Sequence, residues 1–229
     1  MIVAPRFVFL HLHKSGGTFV NEVLLRHVPG ARQHGYHLPR TLVPNEAASL
    51  PAIGSVRSPW AYYVSWFEFQ RARPTPNPLF RVLTEDGSLN FAATLRRMLS
   101  LDEDAALLAR VVQALPPVYT QRGLNLPGPV LAAIAGSGRG FYSWLHDYLY
   151  SGAGAPVRIA RMETLRGDIA RLLEEVGEPM TPALSAALAS TPPRNVGAHA
   201  PIVDYYDDAL AALVARKDAS VIDAYGYSR

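Results

Sequence analysis

The segment His11-Leu12-His13-Lys14-Ser15-Gly16-Gly17-Thr18 gathers one lysine, two glycines and two hydroxyl side chains within a few positions. That combination suits the binding of an anion. The apolar run Phe7-Val8-Phe9-Leu10 precedes it, and Phe19, Val20, Val23 and Leu24 follow at helical spacing. The segment therefore predicts a strand, a glycine turn and a helix N-terminus. The first amides of a helix have no partner within it, and the helix dipole adds partial positive charge there. Gly16 and Gly17 permit close backbone approach, Lys14 adds a full charge, and Ser15 and Thr18 offer hydroxyl donors. A tight structural turn would use the same glycines, so the loop alone leaves both readings open. A magnesium-dependent nucleoside triphosphatase loop requires lysine after its second glycine, followed directly by Ser or Thr. Here Lys14 precedes both glycines, which points to metal-free chemistry on a phosphate-like group. His11 and His13 could pair on a metal, but no third ligand lies nearby in the sequence.

Residues 9–18 resemble the 5′-phosphosulfate loop of sulfotransferases, whose usual form is H-x-P-K-[TS]-G-G-T. His13 stands where that family usually has proline. The family carries a second mark, an arginine ending a strand with a serine eight positions later on the next helix. Val56-Arg57-Ser58-Pro59 followed by Ser65 reproduces that spacing. The resemblance implies 3′-phosphoadenosine 5′-phosphosulfate as co-substrate and adenosine 3′,5′-bisphosphate as product, without metal. It assigns Lys14, Ser15, Gly16, Gly17, Thr18 and Phe19 to the 5′ end of the nucleotide. Arg57 and Ser65 fall at the 3′-phosphate, where a guanidinium offers a bidentate fork. The R-K-G-x-x-G segment of cytosolic sulfotransferases is missing, and Arg194-Asn195 stands at about its place.

The resemblance also places Lys14 near the bridging oxygen, to stabilise charge on the leaving group. His37, in Gly35-Tyr36-His37-Leu38-Pro39, is similar to the family's H-L-P segment and becomes the expected catalytic base. His34 is the alternative. Gly140–Leu145, the run from Val157 into Glu163-Thr164-Leu165, and Tyr225-Gly226-Tyr227 match later landmarks, with residues 71–135 the least assignable.

These residues require an α/β scaffold: a P-loop-like, mostly parallel central sheet flanked by helices. Strands are expected at 6–10, 52–57 and 157–162. Helices are expected after Gly17, from Pro59, near 95–115, and over 141–150, 163–176 and 204–225. The helix from Pro59 has a proline just inside its start. Tyr62, Tyr63, Trp66 and Phe67 recur along it at helical spacing, which suits core side chains more often than an adenine-stacking face. The proline-rich stretch 73–129 reads as irregular chain and helices on the acceptor side of one domain spanning 1–229.

Composition narrows the classes further. Apolar residues make up 49% of the chain and charged ones 18%, as in an ordinary globular protein. There is no cysteine, which excludes disulfides, thiolate metal sites and a cysteine nucleophile. The net charge is +3 and the basic residues are scattered, so nucleic acid is not an expected partner. Of the 22 basic side chains only Lys14 and Lys217 are lysines, and one of them sits in the glycine loop. No apolar run reaches the ~18 residues of a membrane span, and a cytoplasmic location is expected. The expected partner is a hydroxyl-bearing acceptor: a carbohydrate, a secondary metabolite or a tyrosine peptide. The loop style leans towards the carbohydrate-modifying branch. A small P-loop-like nucleotide kinase and a non-catalytic nucleotide-binding module stand as alternatives.

Overall fold

The computed structural model describes residues 1–192 and 200–229. Its strands are β1 (Ile2–Val3), β2 (Val8–Leu10), β3 (Arg32–Gln33), β4 (Ala52–Val56) and β5 (Arg158–Arg161). Its helices begin with α1 (Gly17–His27), α2 (Pro59–Arg71), α3 (Pro78–Leu83), α4 (Phe91–Leu99), α5 (Ala105–Ala114) and α6 (Gly128–Leu131). They continue with α7 (Phe141–Tyr150), α8 (Leu165–Glu175), α9 (Pro182–Ser190), α10 (Asp208–Lys217) and α11 (Ala219–Tyr225). The chain divides into two compact units, Met1–Arg57 with Asp147–Val196, and Ser58–His146 with Gly197–Arg229.

The first unit holds the sheet, ordered β3-β1-β2-β4-β5. Its centre is parallel: Val8, Phe9 and Leu10 register with Ala52, Ile53 and Gly54, and Ile53–Val56 with Arg158–Arg161. β2 and β4 are buried along their whole length. This is the signature of strands covered on both faces, and it is why they read as unbroken apolar runs. The sheet is mixed, however, because β1 pairs antiparallel with both β2 and β3. These two-residue strands are too short to show any periodicity. On one face Phe9 and Ile53 pack with Phe19, Val20, Val23 and Leu24 of α1 and with Leu165, Ile169 and Leu172 of α8.

The second unit is helical in its described residues, with 73–129 folded as α3 to α6. The expected helix near 95–115 is two helices, because Asp104 interrupts it and caps α5 through a bond from the Leu107 amide. The expected helix over 204–225 is likewise broken. Ile202–Tyr205 forms a 3-10 turn, and α10 gives way to α11 at Asp218.

The break at Asp218 has a clear physical cause. Its carboxylate is fully buried and accepts hydrogen bonds from the Tyr63 hydroxyl at 2.7 Å and the Ser143 amide at 2.8 Å. The Tyr63 oxygen in turn accepts from the Tyr142 amide at 3.1 Å. Two orphan amides in the first turn of α7 are thus capped by side chains distant in sequence. Burial pushes the Asp218 carboxyl up to about 6 despite these bonds. The folded state therefore holds this proton more tightly than the unfolded chain. The associated stability is complete at acid pH and is lost as pH rises through about 6. Asp218→Ala strands both donors and should lower the unfolding free energy by about 3 kcal/mol in urea titrations. Asp218→Asn keeps an acceptor, and should cost less and flatten the pH dependence of stability below pH 6.

Among the described residues no helix is long and apolar enough to cross a membrane.

Candidate functional site

The glycine loop leaves β2 at Leu10 and enters α1 at Gly17, at the C-terminal edge of the parallel strands. Ligands of open α/β sheets bind at this edge. Two residues of the loop are left-handed, Lys14 at φ 56° and Gly16 at φ 82°. For glycine that conformation is free, whereas for lysine it is uncommon and needs support from its surroundings. Both glycines are also demanded by packing. A Cβ on Gly16 would lie 2.7 Å from the Met162 sulfur and press into Leu165. A Cβ on Gly17 would overlap the buried His11 ring.

The hydroxyls of the loop part company. Thr18 is exposed in the first turn of α1. Ser15 is fully buried, and its Oγ donates to the Leu12 carbonyl at 2.7 Å while lying 2.8 Å from Ser55 Oγ. The Ser15 side chain is therefore a structural tie to β4 and not an anion donor. Phe19 also turns inward. Its amide donates to the Gly16 carbonyl at 3.0 Å, and its ring is in the core with the Arg166 guanidinium 4.7 Å above it. Arg166 reaches on to the Leu188 and Thr191 carbonyls, which ties the end of α9 to this corner of the sheet.

Arg57 directly follows β4, so it and the loop stem from adjacent parallel strands. Its Nη1 donates to the Lys14 carbonyl at 3.3 Å. The residue that the resemblance gives to the 3′-phosphate is thus bonded to the backbone of the loop that it gives to the 5′ end. Burial, and next the Arg57 charge, push the Lys14 ammonium down to about 8. Burial and the nearby guanidinium both disfavour the ammonium form of Lys14, and a bound anion would offset both effects.

The histidines form a second cluster in the same unit. His37 is buried, and its Nδ1–H donates to the His11 carbonyl at 2.7 Å. That bond fixes the tautomer and leaves the lone pair on Nε2. The His37 ring stacks on His13 with centroids 3.7 Å apart, and lies 4.2 Å from the rings of both His11 and Tyr36. Burial, then the neighbouring imidazoles, hold His37 well below the usual histidine range. It is a neutral imidazole at physiological pH. His11 is buried too, with its Nδ1 3.3 Å from Asn21 Nδ2 of α1. These rings stack and tilt instead of converging. Among the described residues no group of His, Cys, Asp or Glu side chains is placed to hold a metal ion.

Lys14, Gly16, Gly17, Thr18, Arg57 and His37 thus fall in one unit, with the His13–His37 stack linking the histidines to the loop. His34 is exposed, and its amide donates to the Met1 carbonyl. Ser65 is half-buried on α2 in the second unit. Arg194 lies outside the described residues. Sequence reasoning missed Ser55, Asn21 and Tyr150. Tyr150 has no local signal, since its hydroxyl meets the Ser55 backbone across 95 positions. No family model matches the chain, and neither does any curated protein or solved structure.

Proposed function

We infer that the chain is a sulfotransferase that moves a sulfuryl group from 3′-phosphoadenosine 5′-phosphosulfate to an acceptor hydroxyl. The observation that carries this reading is the Arg57 guanidinium bonded to the Lys14 carbonyl, which joins the ends of adjacent parallel strands beside a helix N-terminus. The loop amides and Lys14 receive the phosphosulfate end, and Arg57 takes the 3′-phosphate. Ser65 and Arg194 join that second phosphate by resemblance alone. The motif resemblance supplies the rest of the reading, including the acceptor classes: a glycan, a metabolite or a tyrosine peptide.

In the proposed reaction the acceptor oxygen attacks sulfur in line. The bond from sulfur to the bridging oxygen breaks, and its electron pair stays on the departing adenosine 3′,5′-bisphosphate. The Lys14 ammonium stabilises that developing charge. The acceptor proton passes to His37 Nε2, since Nδ1 is committed to the His11 carbonyl. Positioning and electrostatics do the work, and no step calls on a metal.

Adenosine 3′,5′-bisphosphate should bind in excess chelator, which calorimetry tests directly. Binding that required magnesium and preferred ATP would support a kinase instead. Binding without turnover on any hydroxyl acceptor would support a non-catalytic module. Because the unliganded Lys14 loses its proton near pH 8, affinity should fall on the alkaline side. With one proton linked, binding at pH 9 should be about tenfold weaker than at pH 7. A flat affinity across that range would exclude Lys14 as the anion partner.

A further inference from the structure

β2 ends at Leu10, registered with Gly54, and the chain then turns away into the glycine loop. Ser55, the next residue of β4, has no β2 partner. Its main chain meets the Tyr150 hydroxyl instead: the Ser55 amide donates to it at 3.0 Å, and it donates to the Ser55 carbonyl at 2.7 Å. Tyr150 reaches this position because residue 54 is glycine, where a Cβ would stand 2.5 Å from the Tyr150 ring. On the side-chain face, Ser15 uses its only proton on the Leu12 carbonyl. The 2.8 Å contact between the two serine hydroxyls is therefore donated by Ser55. A continuous chain of bonds runs from Tyr150 through Ser55 and Ser15 to Leu12. It fixes Leu12 and Ser15, between which Lys14 adopts its left-handed conformation.

We propose that Ser55 and Tyr150 are positioning residues: together they hold the loop in the conformation that brings Lys14 beside Arg57 for anion binding. Neither touches the anion. Their effect passes through Ser15 and the Leu12 carbonyl, because an uncommon backbone conformation persists only where its surroundings fix it. The inference rests on the proposed site, but it has a readout of its own. The chain contains two lysines, so side-chain-labelled lysine gives two NMR signals, from Lys14 and Lys217.

The test compares wild type, Ser55→Ala, Tyr150→Phe and the control Tyr63→Phe, whose two lost bonds lie in the other unit. Two quantities are measured: the Lys14 titration midpoint without ligand, and the dissociation constant for adenosine 3′,5′-bisphosphate. In Ser55→Ala and Tyr150→Phe the Lys14 midpoint should rise from about 8 towards the ordinary lysine value as the two cations separate. The dissociation constant should increase about tenfold or more. Tyr63→Phe should lower the melting temperature and leave both quantities unchanged. Two folded variants with wild-type Lys14 titration would overturn the proposal, whatever the ligand does. A wild type that binds no bisphosphate, with the midpoint shifts intact, would overturn the functional reading and leave the positioning role standing. If Ser55→Ala fails to fold, Tyr150→Phe decides alone, since it removes one hydroxyl and keeps the ring packed on Gly54.

Discussion

Lys14→Met is expected to weaken adenosine 3′,5′-bisphosphate binding about a hundredfold while leaving the unliganded protein no less stable. A charge-assisted contact to an anion in a partly desolvated site is worth roughly 2–5 kcal/mol on truncation, and about 2.7 kcal/mol is a hundredfold. Methionine matches the length and apolar stem of lysine, so the loop keeps its packing. The opposite sign of the stability effect is the informative part. In the unliganded chain the ammonium is disfavoured by burial and by Arg57, so its removal relieves a repulsion. A residue kept for fold would behave the other way, losing stability when replaced. Calorimetry and a thermal melt on the same sample separate the two cases. A variant that binds normally but melts early would place Lys14 in the structure and not in the site.

The second large effect concerns the base. His37→Asn is expected to lower kcat by about 10²–10⁴, with the nucleotide dissociation constant nearly unchanged. Asparagine is chosen for two reasons. His37 has φ 48°, a conformation that asparagine tolerates and alanine resists, and an Asn amide can still donate towards the His11 carbonyl. The fold is thus retained while the basic nitrogen is lost. The pH profile adds a signature. Burial and its histidine neighbours keep His37 neutral well below the usual range, so kcat/KM should show no acid limb near pH 6.5. Its alkaline limb should fall near 8, where Lys14 loses its proton in the free protein. Unaltered kcat in His37→Asn would remove His37 from the chemistry.

The parts of the fold that were legible in the sequence are those with local causes. β2 and β4 read as apolar runs because both their faces are covered, and α2 announced itself through Ser58-Pro59. The loop was legible because its glycines are punctuation between two different periodicities. What escaped depends on distant contacts. The final helix breaks at Asp218 because that carboxylate is drawn to Tyr63 and Ser143, which no pattern in 204–225 reveals. The antiparallel β1 and β3 are two residues each, below the length at which alternation can be seen.

The site divides in the same way. Residue type singled out Lys14, Gly16, Gly17, Arg57 and His37, which fall in one unit. It could not say which way a hydroxyl turns. Serine at 15 fits an anion ligand and a buried tie equally well, and its bond to Leu12 and contact with Ser55 decide for the tie. Nor could sequence show that His13, where a proline is usual, stacks on His37. That contact joins the proposed base to the glycine loop.

Because only two lysines are present, the most direct measurement is the titration of labelled lysine side chains with and without adenosine 3′,5′-bisphosphate, in excess chelator. Lys14 should titrate near pH 8 in the free protein and move upward by a pH unit or more at saturation, as a bound anion favours the ammonium. Lys217, held by Asp102 and Glu103, should not move. A Lys14 signal indifferent to the nucleotide would remove Lys14 from the proposed anion site, and the sulfotransferase reading with it.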